Sequence, residues 1–367
     1  MTSLTLPATK FVYRITERTG PQAIKRFEEP LFQQQQPQMQ QGTPVDTKVK
    51  PHEILVKIKA VSLNYRDLII SNGFYPFPVS PNVVPGSDGA GEVVQVGEAV
   101  KDFQVGDKVV GIFDQAHLYG DPGDWTNGLG GVVDGTLQQY RVFPAIAVIK
   151  IPQKTHLSWE EIASLPCTGV TCWNALFGIQ PLLPGQTVLV QGTGGVAITG
   201  LILAKAAGAT VIITSSSDEK LEYVKTNFGA DYTINYRTNP DWDKVALQVT
   251  NGKGVDNVLE GGGINTIEKS LNAVRIGGVV SVIGFLAASE NVPKPDVAKI
   301  AIEKGVIIRG IKIGSKQMFE DLNQLVHARK LKIPVNKVFG FSPKEVLRAY
   351  EYLESQAHIG KICIRVD

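Results

Sequence analysis

The sequence predicts an α/β protein in which a doubly wound parallel sheet is joined to a second, β-rich domain. Three observations lead there. Strand and helix patterns alternate from residue 186 onward, short β-rich runs fill the first third, and 367 residues exceed what one hydrophobic core usually supports.

In chain order, the β-rich part comes first. "EILVKIKAVSLN", "GAGEVVQVG" and "VGDKVVGIF" are bounded by Gly, Pro or Asp and read as strands of an all-β region. Inside it, "FQQQQPQMQQGTP" is a low-complexity insert that supplies no packed face and reads as a flexible surface loop. From residue 187, "TVLVQG" reads as a strand, "GGVAITGLILAKAAG" as a helix, "TVIITSS" as a strand and "SDEKLEYVKTNFGA" as an amphipathic helix. "DNVLEG", "GGVVSVIG" and "VIIRGI" are further strands, separated by helical stretches such as "NTIEKSLNAVRI". Near the end, "SPKEVLRAYEYLESQ" is a helix entered through Ser342 as N-cap and Pro343 in the first turn.

Composition excludes several classes of function. The 37 basic and 35 acidic residues leave a net charge of +2, too small a field to gather nucleic acid or an anionic membrane, so a small molecule is the expected partner. Cys167, Cys172 and Cys363 are an odd set without Cys-x-x-Cys spacing, which argues against a disulfide framework or a structural zinc and fits a reducing compartment. The opening "MTSLTLPATK" has no apolar signal core, and the most apolar segment, 196–213, is interrupted by Lys205. A cytoplasmic location is expected.

The glycine cluster "VLVQGTGGVAITG" carries the first chemistry. Gly192, Gly194 and Ala197 occupy the Gly-x-Gly-x-x-Gly/Ala positions between a strand and a helix, the arrangement that admits a dinucleotide pyrophosphate to free helix N–H groups. The second strand ends "IITSSSDEK", with Ser215 where NAD sites place a carboxylate. The Ser215 and Ser216 hydroxyls and the Lys220 ammonium then suit a 2′-phosphate, favouring NADP(H). Asp218 speaks for NAD(H), although a carboxylate at a helix start also suits the dipole. Tyr236, after the third strand, is placed to flank the adenine ribose or to stand on the surface. Thr171, Gly195, Val196, Gly284 and Phe285 join the expected coenzyme contacts.

The segments "AVSLNYRDLIISNGFYP", "VPGSDGAGEVVQVG", "LPCTGVTCWNAL", "VLVQGTGGVA", "TSSSDEKL" and "GADYTINYR", in that order, resemble the medium-chain dehydrogenase/reductase superfamily over nearly the whole chain. The resemblance implies a GroES-like catalytic domain from residues 1–167, completed by 312–367, and a Rossmann domain from 168–311, with the active site between them. It implies that Lys220 and Tyr236 match the NADP-binding lysine and tyrosine of quinone reductases, and that the protein forms a two-fold dimer through the edge strand "GVIIRGI". It also exposes departures. Asn64 stands where zinc members have their first cysteine ligand and Ser87 where they have a histidine. Only Cys167 matches a ligand position, and the four-cysteine structural lobe is missing. One thiolate does not make the three-ligand site that catalytic zinc needs, so the expected enzyme is zinc-independent, with no metal site.

Without a metal, the expected reaction is hydride transfer to the β-carbon of an enone, quinone or enoyl group, because an enolate is far less basic than an alkoxide and needs less stabilisation. A zinc-free ketone or aldehyde reductase or alcohol dehydrogenase is the alternative; an NADPH-binding sensor or structural protein is the alternative of another class. Tyr75 matches the catalytic tyrosine of the enoyl-thioester reductases, and a phenol with a pKa near 10 can donate to an enolate. Asn64 and Tyr65 are further candidates for holding the substrate oxygen. Phe74, Phe77 and Trp173 are placed to line the pocket, and His117 and Trp125 to border it.

Overall fold

The computed structural model describes residues 6–32, 49–124, 126–284 and 295–366. Most of the glutamine-rich stretch, Trp125 and Phe285 lie outside the described residues.

The strand Thr187–Gln191 is apolar because it is buried on both faces. It lies inside a six-stranded parallel sheet ordered Tyr232–Asn235, Thr210–Ser215, Thr187–Gln191, Val255–Glu260, Val274–Val282, Ile307–Gly310. The helix Gly195–Ala206 packs between this sheet and the helix Val170–Phe177, and is accordingly apolar on most sides. The helix Asp218–Phe228 is half exposed. Its first turn is capped by the Ser217 hydroxyl, which accepts the Lys220 N–H at 3.3 Å, and it ends at Gly229 in the left-handed conformation, φ 73°. The stretch predicted helical through Ile276 turns to strand at Val274, where β-branched Val274 and Ile276 begin the run that pairs with Val255–Glu260.

The β-rich part forms a seven-stranded sheet around the long strand Glu53–Leu63, which pairs with Asp88–Val96, Tyr140–Pro144 and Lys361–Arg365. The C-terminal strand therefore completes a sheet begun three hundred residues earlier, with Ile362 opposite Leu63. The region predicted to be all β also holds a helix, Tyr65–Ser71, in which the Asp67 carboxylate accepts the Asn64 N–H at 2.8 Å and caps the first turn. The Pro343–Glu354 helix starts as its sequence predicts, with the Ser342 hydroxyl accepting the Glu345 N–H. Among the described residues no helix is long and apolar enough to cross a membrane.

Candidate active site

A cleft of about 550 Å³ runs between the two sheets. Every predicted site residue that the structure describes lines it: Asn64, Tyr65, Tyr75, Thr171, Gly192, Gly194, Gly195, Val196, Ser215, Ser216, Lys220, Tyr236 and Gly284. Phe77 also lines it. Phe74 instead points outward, 76% exposed, and Trp173 packs on Phe177 with ring centroids 4.6 Å apart. His117 is buried in its loop, its Nε2 3.0 Å from the Gly120 carbonyl oxygen.

At one end lies the glycine loop. Gly192 has φ 82°, and a Cβ on either Gly192 or Gly194 would project into open space, so both leave a cradle against the cleft. Gly195 is different. A Cβ there would stand 2.6 Å from Lys361 Cδ, so its missing side chain makes room for a lysine of the C-terminal strand. The Gly360 N–H donates to the Thr193 carbonyl at 3.0 Å, tying that strand to the loop.

Ser215 ends its strand beside this loop, and the Asp218 carboxylate accepts the Asn235 side-chain N–H at 2.8 Å. Lys220 Nζ donates to the Gln356 carbonyl at 2.7 Å and to the His358 carbonyl at 3.4 Å, which leaves one of its three donors for a ligand. His358 Nδ1 is buried without a hydrogen-bond partner among the described residues. Burial, reinforced by Lys220 and Lys361, pushes the His358 pKa down to about 4.

The other end is a buried polar network. Lys361 Nζ donates to the Asn64 side-chain oxygen at 2.6 Å and to the Leu63 carbonyl at 2.8 Å. Asn64 Nδ2 donates to Ser87 Oγ at 3.2 Å, Ser87 Oγ donates to Asp88 Oδ1 at 2.7 Å, and Asp88 Oδ2 accepts the Cys167 N–H at 3.1 Å. Cys167 enters on the π-helical turn Leu165–Gly169, a geometry common at functional sites. Burial, and then Asp88, push its thiol pKa well up, so the thiolate is disfavoured. Burial also raises the carboxyls of Asp88 and Asp67, the latter to about 6 against the pull of Arg66. Among the described residues no group of three or more His, Cys, Asp or Glu side chains is arranged to hold a metal ion.

The chain matches two family models, the alcohol dehydrogenase GroES-like domain over residues 50–153 and the zinc-binding dehydrogenase over residues 195–328. It is 47% identical to a zinc-type alcohol dehydrogenase-like protein of Schizosaccharomyces pombe over 88% of this chain and 93% of that one. The chain belongs to the medium-chain dehydrogenase/reductase family. It is an oxidoreductase of the NAD(P)-dependent kind, with the GroES-like and Rossmann sheets described above. Among solved structures it resembles a Sinorhizobium meliloti 1021 protein described as an alcohol dehydrogenase, 35% identical with a TM-score of 0.83, covering 98% of this chain and 100% of that one. It also resembles the Pseudomonas syringae pv. Tomato DC3000 quinone oxidoreductase, 26% identical with a TM-score of 0.74, covering 97% and 99%.

The sequence reading missed Arg66, Lys361 and His358, all of which line the cleft. Arg66 sits inside a quoted motif, and its position beside Asn64 was the available signal. Lys361 and His358 had none, because only the sheet pairing brings the C-terminal strand to the cleft.

Proposed function

We propose that this protein is an NADP(H)-dependent, zinc-independent reductase of activated carbon–carbon double bonds in enones, quinones or enoyl compounds. The observation that carries the reading is the Lys361 ammonium against Asn64. Positions 64, 87 and 167 offer an amide, a hydroxyl and a single thiol; the first two are already hydrogen-bonded to each other, and a cation lies 2.6 Å from the amide oxygen. A divalent ion there would meet poor ligands and an ammonium, so these residues do not fit a catalytic zinc.

The coenzyme fits better. The open cradle at Gly192 and Gly194, the Ser215 terminus without a carboxylate, and the spare donor of Lys220 suit an NADP(H) phosphate. When bound, the nicotinamide supplies the hydride. The chain's part is to orient the acceptor between Tyr65 and Phe77, to exclude water, and to donate a proton from the Tyr75 hydroxyl to the enolate. Lys361, through Asn64, polarises the amide that faces the substrate oxygen. A quinone oxidoreductase stands among its structural relatives, which supports a conjugated acceptor. A two-fold dimer through the edge strand Ile307–Gly310, where Ile307 is 39% exposed, completes the reading. Light scattering at micromolar concentration is expected to give twice the chain mass, and a monomer would remove the dimer.

NADPH oxidation against a panel of enones, quinones, enoyl thioesters and aldehydes tests the reaction. Turnover of the first three classes, undiminished by a chelator and without stoichiometric zinc by elemental analysis, is the expected result. Turnover of aldehydes alone, or activity that leaves with about one zinc per chain, would overturn it.

A further inference from the structure

Residues 355–360 join the helix Pro343–Glu354 to the strand Lys361–Arg365 and run along the cleft, where Gln356, His358 and Gly360 line it. The segment belongs to the β-rich part, yet the parallel-sheet part grips it at both ends. Lys220 Nζ, from the helix Asp218–Phe228, donates to the Gln356 and His358 carbonyls at 2.7 and 3.4 Å. The Gly360 N–H donates to the Thr193 carbonyl of the glycine loop at 3.0 Å. Lys361 follows at once. Its stem occupies the space that Gly195 leaves, and its Nζ holds the Asn64 side-chain oxygen at 2.6 Å.

The segment is held against its own preference. Gln356, just past the helix end, has φ 54°, a left-handed conformation that glycine adopts freely and a residue with a side chain does not. The Lys220 ammonium bonds this carbonyl and that of His358, and bonds from a charged donor are stronger than those between neutral groups. Gly360 also has a positive φ, 82°, and a Cβ on it would stand 2.5 Å from the Pro334 carbonyl oxygen. The segment therefore has little freedom in how it enters the strand. An unbroken run of covalent and hydrogen bonds leads from Lys220 at one end of the cleft to Asn64 at the other.

We propose that Lys220 is a positioning residue for the reaction: through residues 355–360 it fixes how Lys361 and Asn64 stand against the glycine cradle. This deepens the reading above and rests on Asn64 and Lys361 acting at the substrate oxygen. Hydride transfer depends steeply on the placement of the acceptor over the nicotinamide, so a loosened segment lowers the rate of the step without weakening the hold on the coenzyme. The two duties of Lys220 separate by coenzyme. With NADPH its third donor meets the 2′-phosphate, whereas with NADH only the tie to the Gln356 and His358 carbonyls remains.

Three measurements test it. The first is hydrogen exchange in the free protein: the Gly360 and Lys361 amides, which donate to the Thr193 and Pro334 carbonyls, are expected to exchange about 10-fold faster in Lys220→Met. Lys220→Arg, which keeps the charge and its donors, should restore most of the protection. The second is turnover at saturating NADH, with whichever enone, quinone, enoyl thioester or aldehyde the wild type reduces fastest. Lys220→Met is expected to lower kcat about 3- to 10-fold and leave KM for NADH within about 2-fold, with most of the loss recovered in Lys220→Arg. The third is a double-mutant cycle: Lys220→Met in a Lys361→Met background should cost no further turnover, since both act through Asn64. Unchanged exchange at 360–361, or unchanged kcat with NADH, confines Lys220 to the phosphate and overturns the proposal. Additive losses in the cycle overturn it too. Wild-type turnover in Lys361→Met overturns the role given to Lys361 and this proposal together, whereas turnover of aldehydes alone overturns the double-bond reading and leaves the test of Lys220 intact. Where NADH supports no turnover, kcat at saturating NADPH takes its place; should Lys220→Met not fold, Lys220→Ala does.

Discussion

The two ends of the cleft are built in opposite ways. At the coenzyme end, Gly192, Gly194, Ser215 and Lys220 come from one strand–helix–strand–helix run, and local geometry aims them at the same space. At the substrate end, Asn64, Ser87, Cys167 and Lys361 come from four separate segments, and Asn64 and Lys361 are 297 residues apart. Both ends carry an exposed tyrosine, Tyr236 at 43% and Tyr65 at 44%, but the polar network behind Tyr65 is closed, with Ser87 and Asp88 fully buried. A contiguous run needs only local propensity to place its groups, whereas a buried network must have every donor matched by tertiary packing before it costs nothing.

The largest expected effect sharpens this contrast. Tyr75→Phe removes one hydroxyl at the substrate end, so turnover should fall by about 10²- to 10⁴-fold, the usual worth of a general acid, while NADPH affinity stays the same. Turnover and a fluorescence titration check both halves of the statement. Wild-type turnover, where a deuteride isotope effect shows chemistry to be limiting, would remove Tyr75 from the reaction.

Next in size is coenzyme choice. Lys220→Ala should raise KM for NADPH about 10- to 100-fold relative to NADH, because a charge-assisted contact to the 2′-phosphate is lost. Ser215→Asp should shift preference the same way by repulsion. An unchanged ratio of efficiencies in both variants would misplace the phosphate site.

A smaller effect divides two neighbouring glycines. Gly195→Ala should destabilise the fold by about 1–3 kcal/mol in denaturant titrations, because its Cβ would overlap Lys361 Cδ. Gly194→Ala meets nothing within 4 Å and should leave stability within about 0.5 kcal/mol, yet weaken NADPH binding. Equal stability losses in the two variants would break the distinction between packing and cradle.

A further effect is in pH dependence, where the two ends have opposite signs. His358 is pushed down from 6.5 to about 4 in the fold, so the unfolded chain binds more protons between those values and stability falls as pH drops through them. Asp67 is pushed up from 3.8 to about 6, so the folded chain binds more protons in that window and stability falls as pH rises through it. Across pH 4–6.5, His358→Gln should therefore flatten the acid-side loss in Tm, and Asp67→Asn should steepen it. Thermal melts across that range check the pair, and slopes moving together would contradict the assigned burial.

The coenzyme end was legible because its signals are adjacent in sequence and each has a local meaning: a glycine that opens a turn, a serine at a strand end, a lysine one helical turn on. At the proposed substrate end the sequence spoke only through a motif, at Asn64, Tyr65 and Tyr75, and the fold brings these three to one cleft. Gly195 lines the cleft as its position suggests, but the motif could not show that its missing side chain also makes room for Lys361. Asp218 shows another limit of motif reading, since its partner Asn235 lies on a neighbouring strand end that no spacing rule reaches. The all-β reading of the first third failed at Tyr65–Ser71, where seven residues are too few to display a helical period.

By itself the sequence determined the α/β class, the strand–helix–strand–helix run from Thr187 to Phe228, the glycine loop and the lack of a carboxylate at Ser215, because each follows from periodicity or from what a single residue type can do. Only the tertiary structure decided that a C-terminal lysine reaches Asn64, that Asn235 donates to Asp218, and that Arg66 lies between two aromatic rings. Periodicity is written along the chain, but the pairing of buried polar groups depends on strand register between distant segments, and register is fixed only when the two sheets close around their cores.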